Sequence, residues 1–209
     1  MDSFIQKQTG CIMNKAIIKS QIRDNVRKSR EALSDKTVTR CANILRDTIV
    51  NHDSQELVNI IGNAKTIALY QAVRGELSCD GVASYLKEQG KILCYPRVKG
   101  ETMDFYHVED LENDFTLGAY DIPEPRTDKK KVYNTDIDII FVPAVAYTEE
   151  GARLGQGGGY YDRYLNSYGA KKRPVTIGIC YDFQLYSALP VESHDYCVDY
   201  VLCIPSVED

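Results

Sequence analysis

The sequence predicts an α/β protein built on a mainly parallel sheet. Apolar strand-like runs alternate with helix-like segments along the chain, which implies crossover units and parallel neighbours. The runs are near-continuously apolar, as strands are when helices cover both faces of a sheet. The chain has 209 residues, 44% hydrophobic and 26% charged. That is an ordinary globular balance and fits one domain, or one domain with a short appendage.

The elements follow in order. Met1 to Asn14 has no sustained apolar core and is expected as a disordered leader, with Met13 as an alternative start; the single domain is expected over 15–209. Lys15 to Leu33 reads as a helix, with Ile18, Ile22, Val26 and Leu33 at helical spacing among charges. Ser34 reads as the N-cap of a second helix, which carries Val38, Cys41, Ile44, Leu45, Thr48 and Ile49. Thr66 to Tyr70 is a short buried strand. Cys79 to Gln89 is a helix stopped by Gly90. Lys91 to Tyr95 is a strand ended by Pro96, and Met103 to Val108 is another. Residues 109–136 are rich in loop. Asp138 to Val142 is a strand closed by Pro143. A glycine-rich loop follows, then a helix from Tyr160 to Tyr168, a strand from Pro174 to Cys180, and a last strand from Tyr200 to Ile204. Ligands of open parallel sheets bind beyond the carboxyl ends of the strands. The loops after Tyr70, Val142 and Ile179 are therefore expected on one rim.

Charge and cysteine content exclude several classes. The formal net charge is −5 and the pI about 5.3, whereas nucleic-acid binders show a basic patch. Three short basic runs (Arg27, Lys28 and Arg30; Lys129 to Lys131; Lys171 to Arg173) read as solvated faces. Seven cysteines without a C-x-x-C pair argue against a thiolate zinc site and suit a reducing compartment. No run reaches the roughly 18 apolar residues of a membrane span. A soluble cytoplasmic protein is expected, a monomer or weak homodimer without nucleic-acid or membrane partner. His52, His107 and His194 read as surface or loop residues, and no nucleophile motif is present.

Chemistry concentrates between Gly151 and Asp162, where four glycines lie within Gly155 to Gly159. Glycine allows positive φ and close backbone approach. Successive N–H groups can form an anion-binding nest, and a helix starting near Tyr160 adds its positive end. The G-x-x-x-x-G-K-[ST] phosphate loop is absent. A flexible linker would also be glycine-rich, but this loop carries Arg153, Tyr160, Tyr161 and Asp162. Arginine forks onto phosphate, aspartate holds a Mg ion that bridges phosphates, and tyrosine packs on planar rings or in the core. Lys19 and Arg23, four apart on one helical face, can reach one polyphosphate or stand solvated. Asp195 is a candidate second carboxylate for the metal, or the end of a structural turn.

These residues resemble the 5-formyltetrahydrofolate cyclo-ligase family, also called methenyltetrahydrofolate synthetase. The family carries a proline-ended strand, a spacer and G-x-R-L-G-x-G-x-G-Y-Y-D, here Phe141-Val142-Pro143 and Gly151 to Asp162 without a break. Looser matches are Lys19-x-x-x-Arg23, Gly75-Glu76, Ile122-Pro123-Glu124-Pro125 and Leu189-Pro190 to Asp199. Tyr147 stands where many relatives have Phe, and Gln156 and Gly158 are variable positions.

The resemblance implies a three-layer Rossmann-like sandwich and an ATP-dependent ring closure of 5-formyltetrahydrofolate to 5,10-methenyltetrahydrofolate. It implies that ATP is bound by Lys19, Arg23 and the loop Arg153, Leu154, Gly155, Gln156, Gly157, Gly158, Gly159, Tyr160 and Tyr161. Arg153 and Lys19 would be catalytic. Mg would be held at Asp162 and Asp195, and folate by Glu76, Gln156, Tyr160 and Tyr120. Two other readings share such a sheet: a sugar-phosphate isomerase or CoA transferase, and a non-catalytic folate- or nucleotide-binding module.

Overall fold

The computed structural model describes residues 2–51, 54–118, 121–169, 173–192 and 194–207, with side chains from residue 14 onward. Its helices are α1 (Asp2–Glu31), α2 (Asp35–Val50), α3 (Gln55–Asn63), α4 (Asp80–Glu88) and α5 (Tyr160–Asn166). Its strands are β1 (Thr66–Ala68), β2 (Ile92–Lys99), β3 (Thr102–His107), β4 (Phe115–Leu117), β5 (Pro123–Pro125), β6 (Lys131–Val132), β7 (Ile139–Val142), β8 (Ala146–Tyr147), β9 (Arg153–Leu154), β10 (Val175–Tyr181) and β11 (Tyr200–Ile204).

Seven strands form one sheet in the order β11-β10-β7-β1-β2-β3-β6. From β11 to β2 all neighbours are parallel; β3 and then β6 complete that edge with antiparallel pairings. The chain leaves β1 through α4 toward β2, and leaves β7 through α5 toward β10, in the opposite direction. Right-handed crossovers in opposite directions place their helices on opposite faces. The strand order thus reverses between β1 and β7, and ligands of such sheets bind in the crevice at that point.

The apolar runs explain the three layers, because successive strand residues face opposite sides. Ile67, Ile139, Phe141, Ile177 and Ile179 pack with Leu45, Leu57 and Leu86 of α2, α3 and α4. Their neighbours Ala68, Ile140, Val142 and Cys180 pack with Leu165 of α5 and Tyr168. Each large aliphatic side chain buried this way contributes about 1.5–3 kcal/mol. α1 stands apart from both layers: its Ile22 and Val26 bury against Val145, Ala146 and Leu154.

The expected elements are largely present, with several differences. The first helix begins at Asp2, upstream of Lys15. α3 was not anticipated; its signal was Ser54, whose side chain accepts from Leu57 N, followed by Leu57 and Ile61 one turn apart. The expected loop-rich stretch 109–136 holds the small β4–β5 pair and the edge strand β6. β2 does not stop at Pro96 but pairs it with Phe105. Leu69 N donates to Cys94 O at 2.9 Å, so Cys94 faces β1, and Pro96 two residues on faces the same way. β1 has ended by then, so the missing N–H breaks no ladder bond. Ser34 does cap α2, accepting from Thr37 N at 3.1 Å. Gly90, at φ +73°, follows the end of α4.

Candidate active site

α1 supplies one wall of the site. Eleven residues make about three helical turns, so Lys19, Ile22, Arg23, Val26 and Arg30 share one stripe. The apolar pair seats the β8–β9 hairpin on the helix. The basic residues reach three points around it. Arg23 Nε donates to Gly155 O at 3.0 Å. Lys19 Nζ donates to Glu192 Oε1 at 2.8 Å and lies 3.5 Å from Asp195 Oδ2. The Arg30 guanidinium donates to Ala144 O at 2.9 Å and lies 3.5 Å from Glu76 Oε1. The expectation of a solvated face holds for Arg27, exposed beside Asp24, and fails for Arg30, which is buried. The missed signal was its three-turn spacing from Lys19.

The glycine loop hangs between two anchored ends. At its start, Val145 N donates to Leu154 O at 2.7 Å, and Leu154 is buried against α1. At its end, α5 packs on β3 through the Phe105 and Tyr164 rings, 5.0 Å apart. Gly157 at φ +104° and Gly159 at φ +65° take a backbone shape that side chains other than glycine rarely adopt. Among the described residues, no backbone N–H from Gly155 to Gly159 donates to a protein acceptor. The helix that follows has seven residues and ends at Asn166, short of the expected Tyr168. The loop amides, rather than a long helix dipole, are thus the feature here that could meet an anion.

Arg153 and Asp162 close this loop. An Arg153 guanidinium nitrogen donates to Asp162 Oδ1 at 2.7 Å, and Tyr196 N donates to the same oxygen at 3.0 Å. The Arg153 side chain is only 3% exposed, and its Nε has no partner among the described residues. Arg153 therefore ties the first strand of the loop to the first turn of α5, in addition to facing the Gly155 side of the loop. Both contacts on Asp162 fall on Oδ1. Among the described residues no three His, Cys, Asp or Glu side chains gather into a metal cluster. Mg needs none, since it takes one or two carboxylates and fills its shell with phosphate oxygens and water. The donor set suits that ion.

Asp195 closes a turn by accepting from Glu192 N at 2.8 Å and faces Lys19. Its chain neighbour Tyr196 bonds Asp162, so the two carboxylates flank one short stretch of chain. Lys19 is 15% exposed and ion-paired on both Glu192 and Asp195; a phosphate must displace these partners to reach it.

Glu76 enters from the loop after β1. It is nearly buried beside Arg30, accepts from Val73 N at 3.3 Å, and receives a hydrogen bond from the Gln156 side chain. Burial pushes its pKa up, and Arg30 and these hydrogen bonds oppose that. The buried Tyr161 hydroxyl has no partner among the described residues and feels both Glu76 and Arg153. Glu76, far from them in sequence, thus meets Arg153, Gln156 and Tyr161 of the glycine loop in the β1–β7 crevice. The rim expectation is met as well: Gln184, just after β10, donates to Val145 O at 2.8 Å.

Tyr160 projects to the other side of the loop. Its hydroxyl donates to Gly100 O at 3.2 Å, and Arg163 stacks on its ring at 5.0 Å. It lines a cleft of about 400 Å³ with Met103, Lys131 and Tyr164. Tyr120 lies outside the described residues. Among the described residues no helix is long and apolar enough to cross a membrane.

Known proteins resemble this chain in sequence and fold. The model of the 5-formyltetrahydrofolate cyclo-ligase family matches residues 15–204. The Haemophilus influenzae 5-formyltetrahydrofolate cyclo-ligase is 30% identical over 182 residues, covering 85% of this chain and 92% of that protein. The mouse protein of the same name is 26% identical over 193 residues, covering 88% and 92%. Among solved structures, the Aquifex aeolicus 5,10-methenyltetrahydrofolate synthetase superposes with a TM-score of 0.73 at 29% identity, covering 91% of each chain. The 5,10-methenyltetrahydrofolate synthetase from Mycoplasma pneumoniae gives 0.68 at 25% identity, covering 88% of this chain and 96% of that one. With the family model spanning nearly the whole chain and the glycine loop in place at the switch point of the sheet, this chain belongs to the 5-formyltetrahydrofolate cyclo-ligase family.

Proposed function

We propose that the loop from Arg153 to Tyr161 holds the phosphates of ATP beside a Mg ion at Asp162 and Asp195, while Glu76 and Gln156 hold the folate. The enzyme then cyclises 5-formyltetrahydrofolate to 5,10-methenyltetrahydrofolate, releasing ADP and phosphate. One observation carries this reading: the undonated amides of Gly155 to Gly159 lie between the basic stripe of α1 and the buried carboxylate of Glu76. A polyphosphate and a neutral heterocycle thereby meet in one crevice.

The 5-formyl oxygen is a poor leaving group. Transfer of the γ-phosphoryl onto it, with ADP leaving, makes a good one. N10 then attacks the formyl carbon and gives up its proton to water, the five-membered ring closes, and the oxygen departs with the phosphate. Phosphoryl transfer demands positioning and charge neutralisation rather than a protein nucleophile. Arg23 and the loop amides fix the phosphate chain, and Lys19 exchanges Glu192 for a phosphate oxygen. Arg153 shapes the loop and adds its charge from beneath. When bound, Mg supplies further charge neutralisation on the phosphates. Gln156, hydrogen-bonded to Glu76, links the folate side to the nucleotide side and brings N10 to the activated carbon, an orientation effect that lowers the barrier strongly.

Incubation with 5-formyltetrahydrofolate and Mg-ATP is expected to develop the methenyl absorbance with one ADP per product, and none without ATP. Ligand binding without product would favour a mere binding module, and turnover without ADP an isomerase-like activity. Lys19→Ala with Arg23→Ala is expected to raise the KM for ATP by about tenfold or more and to spare the KM for folate. An unchanged ATP dependence would retire that pair.

A further inference from the structure

Arg30 is the one residue of the basic stripe on α1 for which the nucleotide reading has no use. It is buried, with the side chain 4% exposed, and a buried cation is costly unless it serves a fixed partner. Its partners are informative. One guanidinium nitrogen donates to Ala144 O at 2.9 Å, in the segment after β7. Another lies 3.5 Å from Glu76 Oε1, in the segment after β1. Arg30 thus spans the two lips of the switch-point crevice and pins one on the other. Gly75 at φ +72° lets the chain pass: a Cβ there would stand 3.0 Å from Arg30 Cβ.

We propose that Arg30 is a positioning residue for the folate, fixing the Glu76 carboxylate in the crevice as an ionised hydrogen-bond acceptor. The inference rests on the reading of Glu76 as a folate-binding residue and assigns the group that keeps it competent. Most of the other groups acting on Glu76 are neutral. Tyr70 and Cys79 flank it on its own segment, Tyr147 of β8 and Tyr161 of α5 face it, and burial pushes all four upward, so they stay protonated. Gln156 bonds it without charge, and Arg74 is the other cation acting on it. Burial favours the protonated carboxyl, and Arg30 is foremost among the groups that oppose this. A protonated Glu76 would no longer accept from the donor groups of a pterin ring on both oxygens.

The test is a double-variant cycle, with initial rates of methenyl formation measured against folate and against ATP separately. Arg30→Met is expected to raise the KM for folate about tenfold or more, with the KM for ATP little changed. Added to Glu76→Gln it is expected to cost nothing further, because both remove one interaction. The pH profile gives an independent sign. Without the guanidinium the Glu76 pKa rises further, so kcat/KM for folate falls at a higher pH than in the wild type as the solution is acidified. Arg30→Lys keeps the charge but loses the fork to Ala144, and is expected to restore the wild-type pH profile in part. Should the Met variant not fold, the Lys variant carries the same cycle. Additive losses in the double variant, or equal rises in both KM values, would make Arg30 merely structural and overturn the proposal. An unchanged folate KM in Glu76→Gln would instead remove the folate-binding reading of Glu76 itself.

Discussion

Asp162→Ala is expected to reduce turnover about a thousandfold, the loss typical when a preorganised charge-stabilising group is taken from a transferring centre. Two effects combine. The oxygen offered to Mg is gone, and the Arg153 guanidinium, 2.7 Å away and 3% exposed, is left without its carboxylate. Breaking a buried pair by removing one partner costs about 3–5 kcal/mol; Asp162 is about one-fifth exposed, so the lower end applies. Asp162→Asn separates the two. The amide oxygen still accepts from Arg153 and from Tyr196 N, so the melting temperature should stay near the wild-type value. The charge for the metal is lost, so turnover should fall and demand more Mg. The measurements are a thermal melt and a Mg titration of the rate. An Asn variant with wild-type turnover and Mg dependence would remove Asp162 from the metal site.

Gly151→Ala is expected to lower the melting temperature by about 6–12 °C, from a destabilisation of about 3 kcal/mol in a chain of this size. Gly151 sits at φ +86°, and a Cβ there would lie 2.1 Å from Val198 O. Val198 N also donates to Gly151 O at 2.9 Å, so neither backbone can retreat without breaking a bond. The contact locks the β8–β9 hairpin onto the stretch before β11. Gly62 is the control: nothing stands within 4 Å of its Cβ position, and it lies in α3. Gly62→Ala should be neutral, or stabilising by about 0.5–1 kcal/mol. Equal melting temperatures for the two variants would refute the clash.

Much of this was legible in the chain. Ile139 to Val142 is an apolar run with strand propensity, buried at all four positions, and it became a strand because a β-run buried on both faces needs no partner to declare itself. The glycine loop was legible because positive φ and unshielded amides require glycine whatever surrounds them. The continuation of β2 through Pro96 was not. Whether a proline breaks a ladder depends on which side its nitrogen faces and where the neighbouring strand ends, and both are facts of the sheet.

Residue types and periodicity alone determined the mainly parallel sheet covered on both faces, the loop and the shared face of Lys19 and Arg23 on α1, because each follows from backbone geometry and from which side chains avoid water. Tertiary structure alone decided what each charge in that stripe meets. Lys19, Arg23 and Arg30 share one helical face, yet the first faces Glu192 and Asp195, the second Gly155 O, and the third Ala144 O and Glu76. Helical spacing says which way a side chain points. Only the packing of segments more than forty residues away says what dielectric and what partner lie at its tip, and that decides whether a cation stays solvated, holds a loop or orients a carboxylate.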